Sequence, residues 1–278
     1  ISLTFHKVNN RLRCHHCGLS KSAPQTCPEC KSTNWKFGGI GTQRIEGELA
    51  ALFPETRVIR MDSDSTSARG AHHRHLQNFY ETEGAILLGT QMIAKGLDFP
   101  DVALVGIINA DTALNIPDFR AAERTAQLLT QVSGRSGRGP IPGKVIIQTY
   151  NPDNYAVRAV ESSYADFCEM ETKHRSDLDY PPFTSIINII FSSQNEKLVE
   201  PAARELAQNL IQVLKEKAQI LGPVPAPISR IKGRWRWHLM IVTKDPKWVK
   251  KTLRTDVNLT SRHKNVKIIA DVDPVWLL

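Results

Sequence analysis

Between Arg57 and Tyr150 four short apolar runs alternate with stretches of helical spacing: "RVIRMD" (57–62), "AILLGT" (85–90), "VALVGIINA" (102–110) and "KVIIQTY" (144–150). Near-continuous Val, Ile and Leu need cover on both faces, and strands separated by helices pair in parallel. The alternation therefore confines the middle of the chain to an α/β layer built on a parallel sheet. The helical spacings fall at 45–53, 71–80 and, longest, 120–138. Ligands of such sheets gather at the carboxyl ends of the strands, here "MDSDST", "LLGTQMIAKG" and "NADTALNIPD".

A helical stretch at 154–175 leads into "YPPF" (180–183), where paired prolines end the helix and stiffen the exit. Beyond it "TSIINIIFSS" reads as a strand, 196–217 as an amphipathic helix and "PVPAP" (223–227) as a stiff turn. "WRWHLMIVTK" then reads as a strand, 246–259 as a helix and "VKIIADVD" as a last strand. The expected order is β-α-β-α-β, a small α+β domain. The organisation expected is a cysteine segment at 1–37, an α/β lobe at 38–152, a linking helix at 153–179 and the α+β domain at 180–278.

With 278 residues, 41% hydrophobic and 23% charged, the composition is that of a soluble globular chain with room for two cores. The longest apolar run, Val102–Ala110, is about half of what a membrane span needs. No basic-then-apolar signal segment opens the chain, so a cytoplasmic protein without membrane contact is expected. The first residue is Ile1, which fits a piece of a longer protein.

The net charge is +8, which suits a polyanionic partner. Nine Lys and Arg lie between Arg230 and Arg254 against the single acid Asp245. That window alone accounts for the whole excess, so the electrostatic footprint lies near the C-terminus. Within "RIKGRWRWH", strand alternation sends Trp235 and Trp237 one way and Arg234, Arg236 and His238 the other. Cations at Arg230, Lys232, Arg234 and Arg236 suit phosphates, and Trp235 and Trp237 can stack on bases. The plainer alternative keeps both tryptophans in the core and leaves the arginines as a solvated face.

Four of the five cysteines form two C-x-x-C knuckles, "CHHC" (14–17) and "CPEC" (27–30). Four thiolates suit structural zinc. His15 and His16 read as exposed polar residues and Cys168 as an isolated buried thiol. The segment has too little apolar surface to fold without metal.

"QVSGRSGRG" (131–139) places two Gly-Arg pairs at the end of the long helical spacing. Glycine within a helix costs about 1 kcal/mol relative to alanine, so two of them call for a reason. Residues four and seven apart share a helical face, which would align Gln131, Arg135 and Arg138 beside Gly134. Two fixed guanidinium forks on a bare face suit a triphosphate. The bland alternative is a solvated basic helix end.

"QVSGRSGRG" resembles motif VI of superfamily-2 helicases, and "GTQMIAKGLDFPDVALVGIINAD" (89–111) resembles their motif V. With "DFRAAERTAQLLTQVSGRSGRG", "YPPF", "GPVPAPISRIKGRWRWHL" and "DVDP", the chain is similar to the PriA family, the bacterial DNA helicases that restart stalled replication forks. The resemblance implies a RecA-like second helicase lobe flanked by a zinc-binding segment and a DNA-binding C-terminal domain with a ribosomal-protein-like fold. It implies that Arg135 and Arg138 are arginine fingers to ATP and Mg2+ held by another lobe, with Gln131 positioning the water or the first finger. Gly96 and Asp98 would line the nucleotide, although Asp98 also suits a simple turn, and Lys95 is a weaker candidate. Thr90 and Gln91 would face the DNA strand.

The resemblance further implies forked and single-stranded DNA, single-stranded DNA-binding protein and other primosome proteins as partners of a monomer. PriA-like proteins carry four knuckles and two zinc ions. Two readings of this chain follow: Cys14, Cys17, Cys27 and Cys30 close one site, or each pair is half of a site completed before Ile1. No G-x-x-x-x-G-K-S/T loop is present in the sequence, and phosphate transfer needs that cradle and its metal. This stretch alone is therefore expected to be inactive. The rival expectations are a non-catalytic DNA-binding primosome scaffold with a degenerate lobe, and an RNA-directed helicase.

Overall fold

The computed structural model describes residues 3–6, 10–14, 18–33, 41–62, 65–66, 68, 70–94, 101–134, 143–255, 257 and 265–277. It divides into two compact units. One joins Ile1–Thr33, Asn115–Ala122 and Ala165–Leu278; the other joins Asn34–Leu114 and Glu123–Tyr164. No helix among the described residues is long and apolar enough to cross a membrane.

The chain opens with three short antiparallel strands, β1 (Thr4–His6), β2 (Arg11–Arg13) and β3 (Ser20–Ser22), in the order β1-β2-β3. The α/β unit then runs α1 (Thr42–Leu52), β4 (Val58–Met61), α2 (Ala71–Glu81), β5 (Ile86–Gly89) and α3 (Gln91–Ala94). It continues through β6 (Leu104–Ile107), α4 (Asp111–Leu114), most of α5 (Ala121–Ser133), β7 (Lys144–Ile147) and α6 (Tyr155–Arg158). All four expected strands are present and their pairing is parallel: Val58 to Met61 run beside Ile86 to Gly89, and Leu104 to Ile107 beside Lys144 to Ile147.

The expectation of one sheet covered on both faces needs correction. Among the described residues the strands form two separate two-stranded ladders. In the second, Ile107 and Ile147 pack with Ala110, Leu129 and Val157, whereas Leu104 and Ile146 remain exposed. Strands of four residues with one covered face alternate inside and outside, and no described side chain covers the outer face.

The remaining elements are α7 (Tyr164–Asp177), β8 (Ser185–Ser193), α8 (Glu196–Leu214), a 3-10 turn (Lys215–Lys217), β9 (Gln219–Ile231), β10 (Arg234–Thr243), α9 (Pro246–Thr255) and β11 (Lys267–Val272). From β8 onward they make a fully antiparallel sheet in the order β11-β8-β10-β9. Helix α8 buries Val199, Ala202, Ala203, Leu206, Leu210 and Leu214, the spacing of a helix with one apolar stripe. That stripe packs on Ile187, Ile189, Phe191, Leu239 and Ile241, joined by Val249 and Leu253 of α9. Asn195 caps α8 by accepting the Lys197 N–H at 3.1 Å.

The order here is β-α-β-β-α-β, not the expected β-α-β-α-β. The segment "PVPAP" is no turn but lies within β9. Proline lacks the N–H that a central strand must donate, but an edge strand tolerates it, and β9 is the edge beside β10. The helix expected at 154–175 is two helices, α6 and α7.

The second face of this sheet is also occupied. Ile186, Met240 and Leu277 are buried there with Phe119 and Tyr180 against them. At Val224 the cover is the cysteine segment: a Cβ on Gly18 would lie 2.7 Å from Val224 Cγ1, and Gly18 has φ +80°. Only glycine permits both the left-handed backbone and that approach.

Candidate nucleotide and nucleic-acid sites

In the α/β unit the carboxyl ends of the strands are held by short polar networks. Asp62, just after β4, is buried. Its carboxylate accepts from Thr42 Oγ1 at 2.6 Å and from the Ser65 N–H at 2.8 Å, with Arg60 Nε 3.2 Å away. The Thr42 hydroxyl and then the Ser65 N–H, with Arg60 adding charge, hold its pKa down at about 2. Gly89 ends β5 where a Cβ would fall on the Met61 carbonyl, so glycine lets the two strand ends close up. Thr90 follows, exposed, and Gln91 is exposed as the first residue of α3. Lys95, Gly96 and Asp98 lie outside the described residues.

At the ends of β6 and β7 Asp111 ties both strands. Its carboxylate accepts from Thr149 Oγ1 and from the Tyr150 N–H, each at 3.0 Å. The Tyr150 side chain is exposed beside this anchor.

Helix α5 ends at Ser133, and Gly134, exposed, forms a turn with its N–H donating to Thr130 O at 3.0 Å. The expected helix reached Arg138; the described helix runs to Ser133, and 135–138 lie outside the described residues. Glycine readily ends a helix just past its last turn. The shared helical face expected for Gln131, Arg135 and Arg138 falls largely outside the described residues. Gln131 is exposed on the last turn, while Arg135 and Arg138 lie outside the described residues.

Both cysteine knuckles follow one backbone plan. The Cys14 N–H donates to Leu19 O at 2.8 Å and Gly18 N–H donates to Cys14 O at 3.1 Å; Cys27 N–H donates to Ser32 O at 2.8 Å and Lys31 N–H to Cys27 O at 3.0 Å. Gly18 and Lys31, each four residues after the first cysteine, have φ of +80° and +59°. The Cys30 and Glu29 N–H groups lower the Cys27 thiol pKa. Such turns fit thiolate ligation, so the donor set suits zinc. Cys14 is buried, Cys27 half-buried and Cys30 exposed, none of the three in a disulfide, while Cys17, His15 and His16 lie outside the described residues. Among the described residues no three of His, Cys, Asp and Glu converge on one point. Cys168, expected to be buried, is half-buried on α7.

The basic stretch forms a hairpin of β9 and β10. Ile231 stands opposite Arg234 and Arg230 opposite Trp235. Arg234 donates to Ser192 O at 3.0 Å and Arg236 to Ile228 O at 3.3 Å; burial lowers the Arg236 pKa. Arg230 and Lys232 are exposed. The expected alternation holds, and it turns Trp235 and Trp237 toward the helical core, against which both pack half-buried. Arg230 sits 5.1 Å over the Trp235 ring. This packing fits the core reading of the tryptophans and not base stacking.

One cluster escaped the sequence reading. Phe119 stacks on Tyr180 at 5.0 Å and 9°, with the Arg120 and Arg175 guanidinium carbons 4.1 and 5.2 Å from the Phe119 ring. Buried Asp118 accepts from the Leu277 N–H at 3.4 Å, and Arg175 is paired with Glu171 at 2.7 Å. The signal was "PDFR" (117–120), an aromatic between charges that reads simply as a helix start.

Family matches fall in succession along the chain. Residues 1–21 match the PriA DNA helicase Cys-rich region domain. Residues 40–140 match the helicase conserved C-terminal domain, and 176–275 match the primosomal protein N C-terminal domain. The replication restart protein PriA of Bacillus subtilis is 45% identical over 282 residues, covering 100% of this chain and 35% of the relative. The chain belongs to the PriA family. The PriA of Synechocystis is 42% identical, with 99% of this chain and 34% of the relative covered, and that of Haemophilus influenzae is 39% identical, with 98% and 37% covered. The match is to the C-terminal part of PriA, and the chain spans about a third of the length of these curated relatives. Its middle is accordingly a RecA-like helicase lobe between a zinc-ribbon segment and a PriA C-terminal domain.

Proposed function

We propose that this chain is the C-terminal part of an ATP-dependent DNA helicase that recognises stalled replication forks and starts primosome assembly. The observation that carries the reading is the succession of Cys-rich, helicase and C-terminal PriA matches at 1–21, 40–140 and 176–275. The working division is a cysteine segment at 1–37, the lobe at 38–152, a link at 153–179 and a DNA-binding domain at 180–278. Arg135 and Arg138 act as fingers on ATP and Mg2+ held elsewhere in the full protein, where a guanidinium stabilises charge on the transferring phosphoryl group. Gln131 positions the water or the first finger, Gly134 allows close approach, and Gly96 and Asp98 border the nucleotide. Thr90 and Gln91 face the DNA strand, and their place at the carboxyl end of β5 supports this. Arg230, Lys232, Arg234 and Arg236 contact phosphates.

The two knuckles hold zinc, each completed by cysteines of the full protein. Zinc supplies the cross-link that fixes a segment with little core of its own. Cys14, Cys17, Cys27 and Cys30 are the ligands from this chain. Partners are forked and single-stranded DNA, single-stranded DNA-binding protein and primosome proteins, for a monomer in the bacterial cytoplasm at the nucleoid.

The test is Arg138→Ala in the full-length protein. ATP binding should persist while most DNA-stimulated hydrolysis is lost; undiminished turnover overturns the finger assignment.

A further inference from the structure

The β9–β10 hairpin carries two features that phosphate contact does not use. Its turn is two residues long, Lys232 and Gly233, with φ of +49° and +76°. Two successive left-handed residues match the twist of the flanking strands and make a stiff hairpin end. Near it β10 advances two residues, from Trp235 to Trp237, while β9 advances five, from Arg230 back to Pro225. The extra residues form a bulge, which bends the strand and raises its twist. The bulge falls in β9, the sheet's edge strand, while β10 stays paired with β8 as far as Trp235; the outer end of β9 is held to it by Arg230 over Trp235 and by the Arg236 bond to Ile228 O.

On that part Ile228 and Ile231 are 47% and 39% exposed. From Ile228 to Lys244 every charged side chain is cationic. Branched aliphatic groups held in water between arginines ask for a partner that is apolar at its centre and anionic at its edge. Base pairs flanked by phosphates meet that description, and proteins that bend or open duplexes insert apolar wedges of this kind between base steps.

We propose that the tip of the β9–β10 hairpin is a wedge: Ile228 and Ile231 enter the base stack at the junction between duplex and single-stranded DNA while the surrounding cations hold the phosphates. The junction is the site because unstacking is cheapest beside bases already unpaired. Arg234, opposite Ile231 and anchored on Ser192 O, fixes the register of the wedge against the backbone. A guanidinium has five N–H donors, so the anchor still leaves donors for phosphate. The proposal rests on the DNA-binding reading above and adds base unstacking to it.

The experiment uses the full-length protein without nucleotide and a forked DNA carrying 2-aminopurine in the first pair of the duplex. A second fork carries the probe a full helical turn away, and anisotropy on the same samples establishes saturation. The wild type should raise junction fluorescence and leave the distant probe unchanged. The variant I228S/I231S, at concentrations that saturate the fork, should give no rise. Arg230→Gln should lower the salt dependence of binding yet keep the rise once saturated. A rise that survives in I228S/I231S, or none in the saturated wild type, overturns the wedge while leaving DNA binding standing. Failure of the wild type to bind the fork, with binding to anionic vesicles instead, overturns the DNA-binding reading itself.

Discussion

The stack of Phe119 on Tyr180 fastens the segment before α5 to the face of the C-terminal sheet opposite α8 and α9, and its strength can be measured. Phe119→Ala removes half-buried aromatic surface, the parallel stack and the two guanidinium contacts at 4.1 and 5.2 Å. Truncating a fully buried Phe costs about 3–5 kcal/mol, so half-burial points to about 2 kcal/mol. Beyond burial, the aromatic pair itself contributes roughly 1 kcal/mol, which is the part a double-mutant cycle isolates. Four of the five tryptophans, at 235, 237, 248 and 276, follow residue 180, so intrinsic fluorescence in urea reports on this domain. With an m-value of about 2 kcal/mol per molar, Phe119→Ala should lower the midpoint by about 1 M. Tyr180→Ala should do much the same, and the double variant should fall short of the sum by about 1 kcal/mol. Phe119→Leu, which keeps burial and loses the stack, should recover about half of the loss. Losses that add to within about 0.3–0.5 kcal/mol would show that the rings do not interact and would refute the fastening.

Two further outcomes follow from the sites described. The Asp62 pKa is depressed to about 2 from an ordinary 3.8, so its stabilising contribution is complete above the unfolded value and is lost as pH falls from about 3.8 towards 2. Thr42→Val removes the largest cause of the depression, and an NMR titration should find the Asp62 carboxyl moved up; an unmoved value would assign the effect elsewhere. For zinc, full-length protein should contain two ions per chain, and the double variant Cys14→Ser with Cys27→Ser should contain none by elemental analysis. One ion retained by that variant would mean that both knuckles close the same site.

Much of the fold is legible because local rules dominate it. The short apolar strands are set by side chains within a few residues. The edge strand "PVPAP" was misread as a turn because proline forbids only what a central strand must donate, and sequence does not reveal which strand will lie at the edge. Trp235 and Trp237 were assignable to one side by alternation, but which side faces helices depended on α8 and α9 packing over it. The Asp118 to Arg120 cluster was illegible for a different reason. Its partners, Tyr180 and Leu277, are 61 and 159 residues away from Phe119 and Asp118 respectively, and no periodicity links them.

That cluster changes what counts as a domain here. Residues 115–122 belong with the C-terminal unit although the chain on both sides of them belongs with the α/β unit. A boundary drawn at the prolines of "YPPF" would therefore separate Phe119 from Tyr180 and Asp118 from Leu277. It would also uncover Ile186 and Met240, which are 2% and 1% exposed. Baring apolar surface forfeits the favourable transfer that burial provides, at about 25 cal/mol per Å². The cysteine segment raises the same objection from the other end of that sheet face, where Gly18 lies against Val224. The face of the sheet opposite α8 and α9 thus depends on chain outside 180–278, and the C-terminal fold is completed by residues that a linear reading assigns to its neighbours.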